Sequence, residues 1–147
     1  MNITMDERQE GYWPNGKLSH KGNYKDGKKD GYWEWYFDNG NLSSKGNYKD
    51  GKRDGYWEDY CSDSKIYSKG NYKDGIRDGC WEIYWPDGDD KPYSKGNYKN
   101  GIRDGCWKWY HPNGKLRWKG SYKNGKEIGC WECFHQNQST SYQVFFF

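Results

Sequence analysis

Cys130-x-x-Cys133 with His135 close by has the spacing of half a zinc site, the most overt chemical constellation in the chain. Structural zinc needs four ligands, and on a strand two residues three apart point to opposite faces. Cys130 also occupies the place of Cys80 and Cys106 in a recurring pattern, so it reads as a free thiol. Asp50-Gly51-x-x-Asp54-Gly55 has the look of a calcium loop, but Lys52 and Arg53 lie between its carboxylates, where a hard cation would want about six to eight oxygens. Asp and Gly there read as turn residues. His20, His111 and His135 share no motif with a Ser or Cys nucleophile, and no Gly-rich phosphate loop joins a strand to a helix. No catalytic residue, cofactor or metal ligand is expected, and the chain does not read as an enzyme.

The positions that carry these residues belong to a repeat. Gly-Asn-Tyr-Lys-Asp-Gly stands at Gly22–Gly27, and copies of it begin at Gly46, Gly70, Gly96 and Gly120, giving periods of 24, 24, 26 and 24 residues. A period in this range marks a supersecondary unit that cannot bury its apolar face alone and must stack on its neighbours. Composition agrees. Of 147 residues, 32% are hydrophobic and 31% charged, too little apolar material for a two-layer core, yet 20% are aromatic, including 10 Trp and 15 Tyr. Large rings on a thin sheet fit that balance.

Each unit reads as strand, turn, strand, turn. In Gly31–Asp54 an aromatic stretch reaches Asn39-Gly40, a strong hairpin signal because both central positions of the favoured turn need positive φ. A two-residue turn at Asn39-Gly40 sets Phe37 opposite Leu42, Trp35 opposite Ser44, Glu34 opposite Lys45 and Trp33 opposite Gly46. A four-residue loop at Asp50–Arg53 then sets Gly46 opposite Trp57 and Lys45 opposite Glu58. One face would stack Trp33, Trp35, Phe37, Leu42 and Tyr48, with Gly46 admitting rings from both sides. The other would alternate Glu34, Lys45, Glu58 and Lys69 as a charge ladder. Tyr36 follows Trp33 by an odd step, so either both faces carry aromatics or a bulge realigns them.

The copies differ in telling places. Tyr12 to Gly16 is a partial first copy that matches Tyr84 to Gly88; Ser62-Asp63-Ser64 replaces a Gly-bearing turn and should strain or reshape that hairpin. Two residues are added within Asp89–Pro92, Lys108 replaces the ladder glutamate, and Trp109 falls opposite Trp118. The pattern lapses over Gln136–Ser141, and Tyr142–Phe147 is apolar enough for a closing strand.

These residues resemble MORN repeats (membrane occupation and recognition nexus), on Gly46, Tyr48, Gly51, Gly55, Trp57 and their counterparts, over roughly Gly11 to Phe134. The Trp-x-x-Tyr-x-x-Asn-Gly-x-Leu hairpin is similar to the longer variant known from bacterial antitoxin-like components. The resemblance implies a non-enzymatic binding scaffold for partner proteins or membranes.

The expected architecture is all-β: an elongated, open-ended, single-sheet antiparallel meander of about eleven or twelve strands, about 50 to 55 Å long at the usual strand spacing. Residues 1–10 form an N-terminal cap segment, 11–135 the repeat domain of five repeats and a sixth first strand, and 136–147 a tail or capping strand. The expected function is a protein-protein interaction scaffold. Repeated rings must hold the stack, so the expected partner contacts are aromatics that vary between copies: Trp13, Trp35, Phe37, Trp85, Trp109 and Trp118. A competing expectation is an anionic membrane surface, met by what read as loop tips at Lys52, Arg53, Ile76, Arg77, Ile102 and Arg103, and antitoxin-like binding of a partner protein is another. Self-association through open sheet edges is a further expectation. With 24 basic and 21 acidic residues the net charge is +3, and nucleic acid is not indicated beyond the uncompensated Lys108 and Lys119. Cys80, Cys106 and Cys130 would lie two strands apart, too far for disulfides, which suggests a reducing, cytoplasmic setting with room for peripheral membrane attachment. The first ten residues include Asp6, Glu7 and Glu10 without an apolar run, so no signal peptide is expected.

Overall fold

The computed structural model describes residues 7–87, 90–136 and 142–147. All regular structure in it is β. The strands are β1 Glu7–Tyr12, β2 Leu18–Lys25, β3 Lys28–Tyr36, β4 Leu42–Lys49, β5 Lys52–Tyr60, β6 Ile66–Lys73, β7 Ile76–Tyr84, β8 Pro92–Lys99, β9 Ile102–Tyr110, β10 Leu116–Lys123, β11 Lys126–Cys133 and β12 Tyr142–Phe146. They form an antiparallel meander in chain order. The chain divides into two compact units, residues 1–76 and 77–147. β1 takes in residues 7–10, assigned above to the cap, and β12 pairs with β11.

The two kinds of turn are the reverse of the sequence expectation. Asp50-Gly51 is the two-residue turn, with φ of 51° and 80°, the pattern of a type I′ hairpin that matches strand twist. The Asn39-Gly40 end is a three-residue loop closed by Gly40 N–H to Phe37 C=O (2.9 Å) and Phe37 N–H to Asn41 C=O (2.8 Å). Tyr36, not Phe37, therefore opposes Leu42, and Ser43 is an extra residue before Trp35 meets Ser44. The longer loop and the bulge cancel, so the body of the register falls where a two-residue turn would have put it. A second bulge, at Gly55-Tyr56, likewise returns Trp57 to Gly46 after Asn47 has paired with Asp54. Ser62-Asp63-Ser64 keeps the hairpin's hydrogen bonds, Ser64 N–H to Cys61 C=O at 3.0 Å among them, and is not reshaped. The strain falls on Ser64, whose φ of 71° lies in a region that suits glycine. Gly88 and Asp89 lie outside the described residues, as do 137–141, and with them much of the expected insertion and lapse.

Burial in a single sheet depends on the glycines. A Cβ at Gly46 would fall 2.3 Å from the Trp57 ring, and one at Gly22 2.1 Å from that of Trp33. Each glycine thus seats one indole, from the strand that follows, and not rings from both sides. Gly96 seats Trp107 in the same way. Above the ring lies a cation, with Arg53 at 4.1 Å from Trp57, Arg77 at 4.1 Å from Trp81 and Arg103 at 4.7 Å from Trp107. A tyrosine edge completes the cover, as Tyr48 does against Trp57 at 5.1 Å and 88°. Trp33, Trp57, Trp81 and Trp107 are 0% exposed as a result. Indoles donate to asparagine carbonyls ten residues back, as Trp33 to Asn23, Trp57 to Asn47 and Trp107 to Asn97. Successive turns are tied by Gly51 N–H to Lys29 C=O and Gly125 N–H to Arg103 C=O.

Candidate functional site

Beside the repeated Trp–Gly row, on the same face, runs a row whose residues change from strand to strand. In the first unit it reads His20, Trp35, Ser44, Asp59 and Ser68; in the second Ile83, Ser94, Trp109, Trp118 and Cys133. Rings gather near the start of the first series and in the middle of the second. At each gathering the sheet surface is concave.

The first concavity, of about 440 Å³, is lined by Tyr12, Trp13, Ser19, His20, Trp35, Tyr36, Phe37 and Ser43. His20 lies 4.9 Å from Trp35, and Trp13 Nε1–H donates to the Tyr36 carbonyl at 3.0 Å. The second, of about 520 Å³, is lined by Trp109, Trp118, Trp131, Tyr93, Tyr122, Val144 and Phe146, with Arg103, Arg117 and Glu127 as its charges. Trp109 sits 5.3 Å from Trp131, and Trp118 meets Tyr142 edge-on at 5.6 Å. Trp35 and Trp131 each bury an indole N–H without a partner among the described residues.

Five of the six expected contact aromatics therefore fall into two groups: Trp13, Trp35 and Phe37 in one hollow, Trp109 and Trp118 in the other. Trp85 lines neither and packs edge-on against Tyr93 at 4.7 Å. Sequence reasoning missed the residues that the bulges contribute. Ser19 and Ser43 are the extra residues of β2 and β4, Tyr93 and Arg117 those of β8 and β10, and all four line a hollow. A bulge re-aims a side chain that strict alternation would send elsewhere. Nothing local marks it, because it follows from the loop length.

The residues read as loop tips are the first residues of strands. Arg53, Arg77 and Arg103 turn back onto the tryptophans and are part of the core cover. The constant step of four from Arg to Trp, one face of a strand, could have shown this. Ile76 and Ile102 stay about half exposed, at 49% and 48%. Lys52 lies beside the Gly75 turn and Ile102 against Gly125.

The opposite face carries the ladder, and with it tyrosines, so both faces are aromatic. Lys21 pairs with Glu34 at 2.6 Å, Lys45 with Glu58 at 2.8 Å, Lys95 with Glu82 at 2.7 Å and Lys119 with Glu132 at 2.9 Å. At three of these four glutamates the tyrosine two residues on donates to the same carboxylate, Tyr36 to Glu34, Tyr60 to Glu58 and Tyr84 to Glu82, while Phe134 stands two residues after Glu132. Burial alone would push the Glu34 and Glu58 carboxyls up, but the lysine and tyrosine bonds together hold both below the ordinary range. The bond to Glu34 raises Lys21 and the bond to Glu82 raises Lys95. Lys119 is thus compensated, contrary to expectation. Lys108 opposes Lys95 on one side and Lys119 on the other, and no described carboxylate pairs with it. None of the five cysteines forms a disulfide; Cys80, Cys106 and Cys130 are exposed on this face and Cys133 is buried.

A single sheet built from hairpins of one period, with an indole row seated on glycines, is a repeat architecture, and no catalytic constellation appears among its described residues. More specifically, residues 8–26, 29–50 and 103–124 match the family described as the MORN repeat variant, and in these stretches the chain is made of MORN repeats. Repeats of this family serve in protein or membrane interaction. No curated protein matches the chain. No helix of the described residues is long and apolar enough to cross a membrane.

Proposed function

We propose that the protein is a non-catalytic interaction module that seats an apolar stretch of a partner protein, extended or helical, in the hollow lined by Trp109, Trp118 and Phe146. The observation that carries this is the hollow itself: about 520 Å³ of mostly aromatic wall, with Arg103, Arg117 and Glu127 as its charges among the described residues. Concave, ring-lined sites with a few polar groups are where proteins bind apolar segments. The partner of an antitoxin-like member would be a toxin protein, and that is the narrower form of the reading. Trp118 is half-buried against the Trp107, Tyr122 and Trp131 cluster, so its variant is read for binding and for folding side by side. Peptides selected by phage display against the intact chain should carry aromatic or aliphatic anchors. Trp118→Ala should weaken their binding at least tenfold at a temperature where its melt shows the variant fully folded. Equal binding by Trp118→Ala would remove the hollow as the contact surface.

A second reading, an anionic membrane surface, is favoured by the exposed Ile76 and Ile102 and by Lys52 beside its turn. Liposome co-sedimentation of an Ile76→Ser, Ile102→Ser variant separates the two. Membrane binding should fall with the isoleucines and with added salt, whereas peptide binding in the hollow should not.

A further inference from the structure

The ladder face of the second unit lacks one carboxylate, and the groups that would hold it are still in place. At the other rungs with a described pair, a glutamate side chain takes a lysine from a neighbouring strand and, at Glu34, Glu58 and Glu82, a tyrosine hydroxyl from two residues along its own strand. At position 108 the residue is lysine. Tyr110, which stands where Tyr36, Tyr60 and Tyr84 stand, has no glutamate two residues before it; its hydroxyl is in electrostatic reach of Lys95 but makes no hydrogen bond among the described residues. Lys95 and Lys119 oppose Lys108 directly and turn outward to Glu82 and Glu132. Three lysines on adjacent strands face two glutamates here, whereas Glu10, Lys21, Glu34, Lys45, Glu58 and Lys69 balance in the first unit. Like charges directly opposite each other destabilise a sheet, so the row is left with one unmatched positive charge.

The space is there as well. A hollow of about 320 Å³ is lined by Cys80, Lys95, Gly96, Asn97, Cys106, Lys108 and Tyr110. Its counterpart in the first unit, lined by Tyr32, Lys45, Gly46, Asn47, Tyr56 and Glu58, holds its own carboxylate. Where Tyr32 and Tyr56 stand there, the smaller Cys80 and Cys106 stand here.

From this we infer that the Lys108 hollow is a binding site for one carboxylate side chain, an Asp or Glu of a bound protein segment, which takes the place of the missing ladder glutamate. Lys108 Nζ and Tyr110 Oη are its donors, and Lys95 and Lys119 supply the surrounding positive field. The site lies on the face opposite the aromatic hollow and does not depend on it.

The test is a titration of the ¹⁵N-labelled full chain with the blocked peptide Gly-Gly-Glu-Gly-Gly, followed by amide shifts. Saturable shifts at Cys106, Lys108 and Tyr110 are expected, with none from Gly-Gly-Gln-Gly-Gly. Lys108→Glu restores the ladder and should abolish them while keeping a folded spectrum. Tyr110→Phe should weaken binding about three- to tenfold at unchanged net charge, and Lys49→Glu, an equal charge change in the first unit, should leave it intact. Equal shifts from the glutamine peptide, binding that survives Lys108→Glu, or an equal loss from Lys49→Glu would each overturn the assignment. Tighter binding of inorganic phosphate at the same amides would also overturn it, by making the ligand a phosphoryl group.

Discussion

The ladder face of residues 7–76 and that of residues 77–147 are built on one register but end in different electrostatic states. In the first, each lysine of the row lies across from glutamates, tyrosine hydroxyls reinforce the carboxylates, and Tyr32 adds a further bond to Glu34. In the second, Lys108 interrupts the alternation, and exposed cysteines replace the outer tyrosines. The indole row on the other face does not share the difference, since Trp57 and Trp107 sit on glycines, under an arginine and against a tyrosine, alike. Packing is kept constant where the repeat must stack, and departures collect on faces where a change does not open a cavity.

The shared core gives the largest expected effect. Trp57→Ala and Trp107→Ala should each cost about 3–5 kcal/mol in urea unfolding, the usual loss for a buried large aromatic. A loss under about 1 kcal/mol in either would mean that the two units do not use the indole row in the same way.

Acid should act on the first unit's ladder. Glu34 and Glu58 have carboxyls held below the ordinary 4.5. A lowered carboxyl contributes stability that is present above its unfolded value and is lost as pH falls through the folded one. A Glu34→Gln, Glu58→Gln variant should be less stable than the parent by about 1 kcal/mol at pH 7, the upper range for part-exposed pairs. The gap should close at pH 3; a gap that persists there would assign the loss to packing instead of charge.

Tyrosine deletions sharpen the contrast. Tyr60→Phe removes the hydroxyl on Glu58 and should cost about 1 kcal/mol, whereas Tyr110→Phe should cost close to nothing in the absence of ligand. Equal costs in thermal unfolding would show that Tyr110 has found another partner. The smallest effect should be opposite in sign. Lys108→Glu places a carboxylate between Lys95 and Lys119 and should stabilise the second unit by about 0.5 kcal/mol, measured as a raised urea midpoint. A lowered midpoint would show that the lysine row is not under mutual repulsion.

Much of this was legible in the sequence because sheet faces follow from alternation, a local property. The pairing of Trp33 with Gly46, of Glu34 with Lys45 and of Trp109 with Trp118 needs only the hairpin positions and a period of two. Those pairings occur although neither turn has the length expected from sequence, since each difference in loop length is offset by a bulge in the adjoining strand. Where the bulges themselves matter, the sequence was silent. Tyr93 and Arg117 enter the hollow as the unpaired residues of β8 and β10, a consequence of a three-residue loop that Asn-Gly alone does not distinguish from a two-residue one.

By itself, then, the sequence determined the repeat, its strands and the residues that share a face, because periodicity and steric alternation act over a few residues. Only the tertiary structure decided which of the two flanking rings each glycine seats and where the variable rings form a hollow. Those outcomes depend on strand twist and on which neighbour leans over which, and these are set between neighbouring strands, not within one stretch of chain.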